Sequence, residues 1–234
     1  MKNFSIAILA VLVTLFSVNG AEKGKHLFIL SGQSNMDSLD PNITFKPTVE
    51  AEFGKGNVIV VKDSMVGQPI LRWYKNWKPA KGDSPKVTGD LYERLMKKVN
   101  MAISGKKFTT VTFVWMQGEA DANKDRYAVY SESLKGLINQ FREDMERSDI
   151  NFVIGRISDA RMRRKEWSAL REMQVKVAED SKYGEWVDTD DLNTGVDRSG
   201  YPLNDDLHYS VSGYKTLGKR FAEKSIKLIS NNSK

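Results

Sequence analysis

Short apolar runs rich in β-branched and aromatic residues recur along this chain, and between them the apolar residues return every three or four positions. The runs are His26-Leu27-Phe28-Ile29-Leu30, Val58-Ile59-Val60-Val61, Phe108 to Trp115, Phe152-Val153-Ile154 and Trp186-Val187-Asp188. Continuous runs of this kind suit strands covered on both faces, as in a parallel sheet. The stripes between them are Leu91, Leu95, Val99 and Ala102; then Tyr127, Tyr130, Leu134, Leu137, Ile138, Phe141 and Met145, after Asp125 as candidate N-cap; then Trp167, Leu170, Met173, Val177 and Ala178; and last Tyr214, Leu217, Phe221 and Ile226. Each fits one face of a helix. The alternation predicts an α/β fold, a three-layer α/β/α sandwich around a central, mainly parallel sheet. With 234 residues, no internal repeat and no low-complexity tract, a single domain is expected. Lys75 to Gly89, rich in Gly, Pro and Lys, reads as a long loop over a site.

The first twenty residues have a different character. One charge at Lys2 precedes an almost wholly apolar Ile6 to Val18, and Val18-Asn19-Gly20 offers a cleavage point before Ala21. This pattern predicts a signal peptide over 1–20, with a retained anchor as the alternative, and an exported domain over 21–234, periplasmic or secreted. No stable membrane insertion is expected after cleavage. The chain has no cysteine. That removes thiolate nucleophiles, cysteine metal sites and a lipidated N-terminus, and leaves stability to core packing rather than to disulfides. The net charge of +6 is a mild excess. Its densest run, Arg161-Met162-Arg163-Arg164-Lys165, lacks interleaved aromatics and reads as a solvated helix start, with contact to an acidic glycan as the alternative. No nucleic-acid partner is expected.

In an open α/β sheet, function gathers in the loops at the carboxyl ends of the strands. The first run leads to Ser31-Gly32-Gln33-Ser34-Asn35-Met36, the second to Ser64-Met65-Val66-Gly67-Gln68-Pro69-Ile70, the third to Gln117-Gly118-Glu119-Ala120-Asp121, and the fifth to Leu203-Asn204-Asp205-Asp206-Leu207-His208-Tyr209. Ser34 is either a turn residue or a nucleophile on a tight turn. A nucleophilic serine needs a base and a group to orient it. Of the two histidines, His26 begins the first strand, away from Ser34, so His208 is the candidate base and Asp205 its orienter. Asp205 and Asp206 also read as helix caps, and His208 as a surface residue. Gly67 and Gln117 qualify as oxyanion donors, or as a turn glycine and a polar loop residue. The Gly-x-Ser-x-Gly elbow is absent, because Met36 fills its last position. Asp188, Asp190 and Asp191 offer a cation site or a solvated loop; no metal is assigned.

Taken together and in order, Gly32-Gln33-Ser34-Asn35-Met36, Gly67-Gln68-Pro69-Ile70 with Trp73, Trp115-Met116-Gln117-Gly118-Glu119-Ala120-Asp121 and Asp205-Asp206-Leu207-His208 resemble the SGNH hydrolase superfamily. They look most like its sialate O-acetylesterase and acetylxylan-esterase-like branch, over roughly Lys25 to Phe221. The resemblance implies a flavodoxin-like sandwich and serine esterase chemistry without metal or cofactor. The substrate it implies is an acetylated carbohydrate such as sialic acid, xylan or a related glycan. By match, Ser34 is the nucleophile, His208 the base and Asp205 its orienter. The oxyanion is held by the backbone N–H groups of Ser34 and Gly67 and by the Gln117 side chain, which stands where the wider superfamily uses asparagine. Gln33, Asn35, Gly118, Glu119, Asp121 and Trp73 brace the loops or face the substrate.

Two other readings stay open. A lipase, thioesterase or arylesterase would use the same triad on other acyl esters, although Trp73, Tyr74 and Trp77 among lysines suit a sugar platform better than an acyl groove, or else pack a loop. A non-catalytic carbohydrate-binding protein would keep the scaffold and lose the chemistry.

Overall fold

The computed structural model describes residues 24–86, 88–123 and 125–232. The leader read over 1–20 lies outside them. The predicted runs become β1 (Lys25–Gly32), β2 (Val58–Ser64), β3 (Phe108–Met116), β4 (Asn151–Gly155) and β5 (Gly184–Val187). Among the described residues these form one sheet in the order β2-β1-β3-β4-β5, with every pair parallel. This is the doubly wound order in which the chain leaves β1 toward one edge and returns through β3 toward the other.

Because β1 is central, its side chains alternate between two cores. Leu27 and Ile29 join Phe113, Trp115 and Phe152 beneath α3 (Asp90–Ile103), α4 (Tyr130–Asp144) and α5 (Lys165–Glu179). Phe28 and Leu30 join Val114, Met116 and Val153 beneath α2 (Phe45–Phe53) and α6 (Val211–Asn232). A continuous apolar strand is the only pattern that fills both sides. The helix stripes bury as expected: Leu91, Leu95 and Val99 in α3, Leu134, Leu137 and Phe141 in α4, and Trp167, Leu170 and Val177 in α5.

Several local expectations are corrected. Asp125 caps nothing; Asn123 Oδ1 accepts the backbone N–H groups of Asp125 and Arg126, and a 3₁₀ turn at Tyr127–Val129 leads into α4. Trp73 and Trp77 are core residues at 0% and 6% exposure, so they form no open sugar platform. The loop from Lys75 to Gly89 is tied at its base to α4, where Gln140 accepts from the Lys75 N–H, and it closes through Gly89 N–H to Leu71 O.

The sheet delivers the candidate site through one tight contact. Gly32 lies between Ser64 and Met116 with φ +148°, and a Cβ there would stand 1.9 Å from Met116 O. Met116 O instead accepts the Gln33 N–H at 2.9 Å, and Gly32 O accepts from Met65 N at 3.1 Å. Any side chain at position 32 would push β1 and β3 apart where Ser34 leaves the sheet. Gly32→Ala should therefore lower stability by roughly 3 kcal/mol through strain and overpacking. Urea denaturation tests this, and a midpoint equal to wild type would show the contact to be unimportant.

Candidate active site

Ser34 opens α1 (Ser34–Ser38), two residues beyond the end of β1, and keeps 9% of its surface exposed. Its Oγ lies 3.1 Å from His208 Nε2, and His208 Nδ1 lies 2.5 Å from Asp205 Oδ2. Local sequence brings the aspartate and histidine together. Asp205 Oδ1 accepts the N–H of Leu207, two residues on, at 2.8 Å, and the resulting Asx turn folds His208 back over the carboxylate. Burial pushes the Asp205 carboxyl up, but the hydrogen bonds from His208 and the Leu207 backbone outweigh it, and the net is a carboxyl below its ordinary range. An ionised carboxylate only accepts, so His208 carries its proton on Nδ1 and presents Nε2 as an acceptor toward the Ser34 hydroxyl.

The Asp205–His208 loop is tied to the nucleophile's own helix. Fully buried Asn35 donates from Nδ2 to Leu207 O at 3.1 Å and to Glu119 Oε1 at 2.9 Å, while its Oδ1 accepts the Tyr214 hydroxyl at 2.9 Å. Glu119 retains some surface, yet its Oε2 is out of solvent and has no partner, and burial pushes its carboxyl up. Gln33 Oε1 accepts the Ala120 N–H at 3.2 Å, so the residue before the nucleophile braces the loop after β3. Ser31 Oγ donates to Asp63 O and accepts from Trp73 Nε1, which makes Trp73 a brace beneath β1.

Gln117 follows β3 and is fully buried. Tyr130 Oη and Gln174 Nε2 donate to its backbone carbonyl at 2.7 and 2.8 Å. Its side-chain Nε2 donates to Asp121 Oδ2 at 2.6 Å and to Gln68 O at 3.1 Å, and its Oε1 has no partner. The reverse amide orientation would set oxygen against a carboxylate and a carbonyl, so the partners decide it. Gly118 comes so close to α5 that a Cβ would stand within 3.0 Å of Leu170, Ile157 and Gln174. Gly67 is exposed, and its N–H has no partner among the described residues. The residues read from sequence as Ser34, Asp205, His208, Gly67 and Gln117 thus share the carboxyl edge of β1, β2 and β3. From the sequence Tyr214 reads only as part of a helix stripe, and nothing in its local sequence marks the hydrogen bond to Asn35.

The remaining candidates lie elsewhere. His26, whose pKa is lowered by burial, hydrogen-bonds Thr110 Oγ1 and stacks on Phe53 at the amino end of β1. Asp188 and Asp190 pair with Arg156, Asp190 also with Arg171, and Asp191 with Arg220. Guanidinium groups therefore fill the places a cation would take, and no group of metal-binding side chains occurs among the described residues. Arg161, Arg163, Arg164 and Lys165 are exposed where the chain enters α5. A hollow of about 460 Å³ adjoins the nucleophile's helix, lined by Ser38, Asp40, Ile43, Arg198, Tyr214 and Lys215.

Comparison with known proteins joins this geometry to a family. Residues 37–227 match the family described as carbohydrate esterase, sialic acid-specific acetylesterase, a match that starts just beyond Ser34. No curated protein matches the chain. Among solved structures, a protein of Arabidopsis thaliana is similar at 17% identity and a TM-score of 0.67, over 87% of this chain and 98% of that one. A carbohydrate acetylesterase from Xanthomonas citri is similar at 14% identity and a TM-score of 0.60, over 89% of this chain and 57% of that one. The structure titled NanS aligns at 12% identity and a TM-score of 0.60, over 90% and 99%. At such identities the likeness carries the fold, and the family match carries the activity class. The chain belongs to the carbohydrate esterase, sialic acid-specific acetylesterase family, and is a carboxylic ester hydrolase.

Proposed function

We propose that the protein removes O-acetyl groups from a carbohydrate, such as a sialic acid, xylan or a related glycan, through a Ser34–His208–Asp205 triad. The observation that carries this reading is the unbroken line of hydrogen bonds from Asp205 through His208 to Ser34 Oγ, with an ionised carboxylate at its far end. His208 Nε2 takes the Ser34 proton as Oγ attacks the acetyl carbonyl. The imidazolium, held by Asp205, then returns that proton to the departing sugar oxygen. Water attacks the acetyl-serine with His208 again as base, and acetate leaves.

The developing oxyanion meets the N–H groups of Ser34 and Gly67. The Ser34 N–H begins α1 and so has no partner within the helix. Gln117 supplies a third donor. Its hydrogen on Asp121 stays fixed, and the one resting at 3.1 Å on Gln68 O is the weaker contact that the oxyanion draws away. The adjoining hollow sets Asp40, Arg198 and Lys215 beside Ile43, Val211 and Tyr214, polar groups for sugar hydroxyls next to an apolar wall for a ring face. The leader pattern supports action outside the cytoplasm, and no helix among the described residues is long and apolar enough to cross a membrane. Nucleic acid is not a partner in this reading.

Acetate release from p-nitrophenyl acetate, acetylated xylan and O-acetylated sialic acid tests the proposal. Ser34→Ala should lose at least about a thousandfold in kcat; a folded wild-type protein inactive on all three would refute the acetylesterase reading. Gln117→Ala should cost on the order of 100-fold in kcat, and a loss under about threefold would remove its role. Asn35→Ala strands Tyr214 Oη, Glu119 and Leu207 O, so urea midpoints should report a loss of about 2 kcal/mol, with kcat falling more than KM rises. Unchanged stability and kcat would show that Asn35 holds nothing.

A further inference from the structure

We infer that Asp121 is the positioning residue of the oxyanion site, because a single carboxylate oxygen holds both the Gln117 amide and the backbone of the loop that presents Gly67. The inference rests on the esterase reading above. Oδ2 of this fully buried side chain accepts the Ile70 N–H at 2.7 Å and Gln117 Nε2 at 2.6 Å. Between Gly67 and Ile70, Pro69 has no N–H, and Gln68 O is taken by the second Gln117 hydrogen. Ile70 is thus the first backbone donor after Gln68 that a carboxylate can grip, and it opens the 3₁₀ turn Ile70–Arg72 that leads to buried Trp73. The loop is fastened on both sides of Pro69, close behind the free Gly67 N–H.

A carboxylate adds something an amide would not. Ionised aspartate only accepts, so Gln117 has to turn its nitrogen toward it and keep both hydrogens on this side of the group. Asparagine at position 121 keeps its oxygen on Ile70 and Gln117 only by turning its amide nitrogen toward Arg126, and without the charge its hold on Gln117 is weaker. Keeping the charge is costly: burial pushes the Asp121 carboxyl up to about 6, against the Ile70 N–H, the Gln117 amide and the nearby Arg126, which favour ionisation. Arg126 Nε stands 3.4 Å away, Glu119 opposes the charge from the same loop, and the Tyr130 hydroxyl of α4 feels it across the buried layer. The clamp is therefore at full strength above about pH 6 and weakens as the pH falls through that value.

Asp121→Asn, which keeps the size and one acceptor, is the test. Since an oxyanion exists only past the ground state, kcat should fall on the order of 10- to 100-fold, with KM within about twofold. In a Gln117→Ala background the same substitution should cost less than about threefold, because its route is already gone. A full and equal loss in both backgrounds, a loss in KM alone, or no loss would overturn the inference. Hydrogen exchange gives a second reading: at about pH 7.5 the Ile70 amide should be on the order of 10-fold less protected in Asp121→Asn than in wild type, and equal protection would overturn the clamp. The two failures separate cleanly: full activity in Ser34→Ala sinks the Ser34 triad and leaves the exchange result standing, whereas an inactive Ser34→Ala beside a fully active Asp121→Asn sinks only this inference.

Discussion

The close approach of β1 and β3 at Gly32 and Met116 is the contact on which the site depends. In this strand order the chain departs from the sheet's centre in opposite directions after β1 and after β3, so the two loops part and leave a crevice between them. Ser34 comes from one loop, and Gln117, Glu119 and Asp121 from the other. The loop after β2 arrives beside them because Met65 N–H bonds Gly32 O. A hydrogen at position 32 in place of a methyl lets Gln33 N–H reach Met116 O, and that bond sets where α1 begins. Everything chemical about Ser34 follows from a backbone distance one or two residues away.

Beneath the site lies a layer that is polar where a core of this fold would ordinarily be apolar. Gln33, Asn35, Gln117, Asp121 and Gln174 are all buried, and apart from the Gln117–Asp121 bond they tie one loop to another. Such a network is stable only when nearly every group is matched. Its atoms without a hydrogen bond, Gln117 Oε1, Glu119 Oε2 and Asp121 Oδ1 (the last ion-paired with Arg126), all belong to the loop after β3. Two of that loop's carboxyls are pushed up by burial. Stability is given up there, in the segment that faces both the histidine's loop and the glycine's loop, which is where a site of reaction places its costs.

Much of this was legible in the sequence because the signals were local. The five apolar runs and four helix stripes became strands and helices, and Asp205 and His208 lie close enough along the chain for one Asx turn to join them. The short α1 and α2 escaped notice for physical reasons. α1 is four polar or small residues around Met36, and α2 buries only Phe45 and Val49 and carries Pro47 in its first turn, so neither shows a sustained period. Trp73 looked like a sugar platform because composition does not tell a buried indole from an open one; its N–H on Ser31 Oγ does. The ties from Asn35 to Leu207 and Tyr214 span 172 and 179 residues, and no spacing rule reaches that far. The esterase motifs named the loops, and the fold supplied what holds them together.

The central claim is that His208 activates Ser34, and its most direct test is covalent. Treating the protein with diethyl p-nitrophenyl phosphate and locating the adduct by peptide mass spectrometry traps an activated serine without reference to any sugar. The account predicts one diethylphosphoryl group, on Ser34, formed quickly in the wild type and at least about a hundredfold more slowly in His208→Ala. An adduct on another residue, or one on Ser34 that forms equally fast without His208, would contradict it.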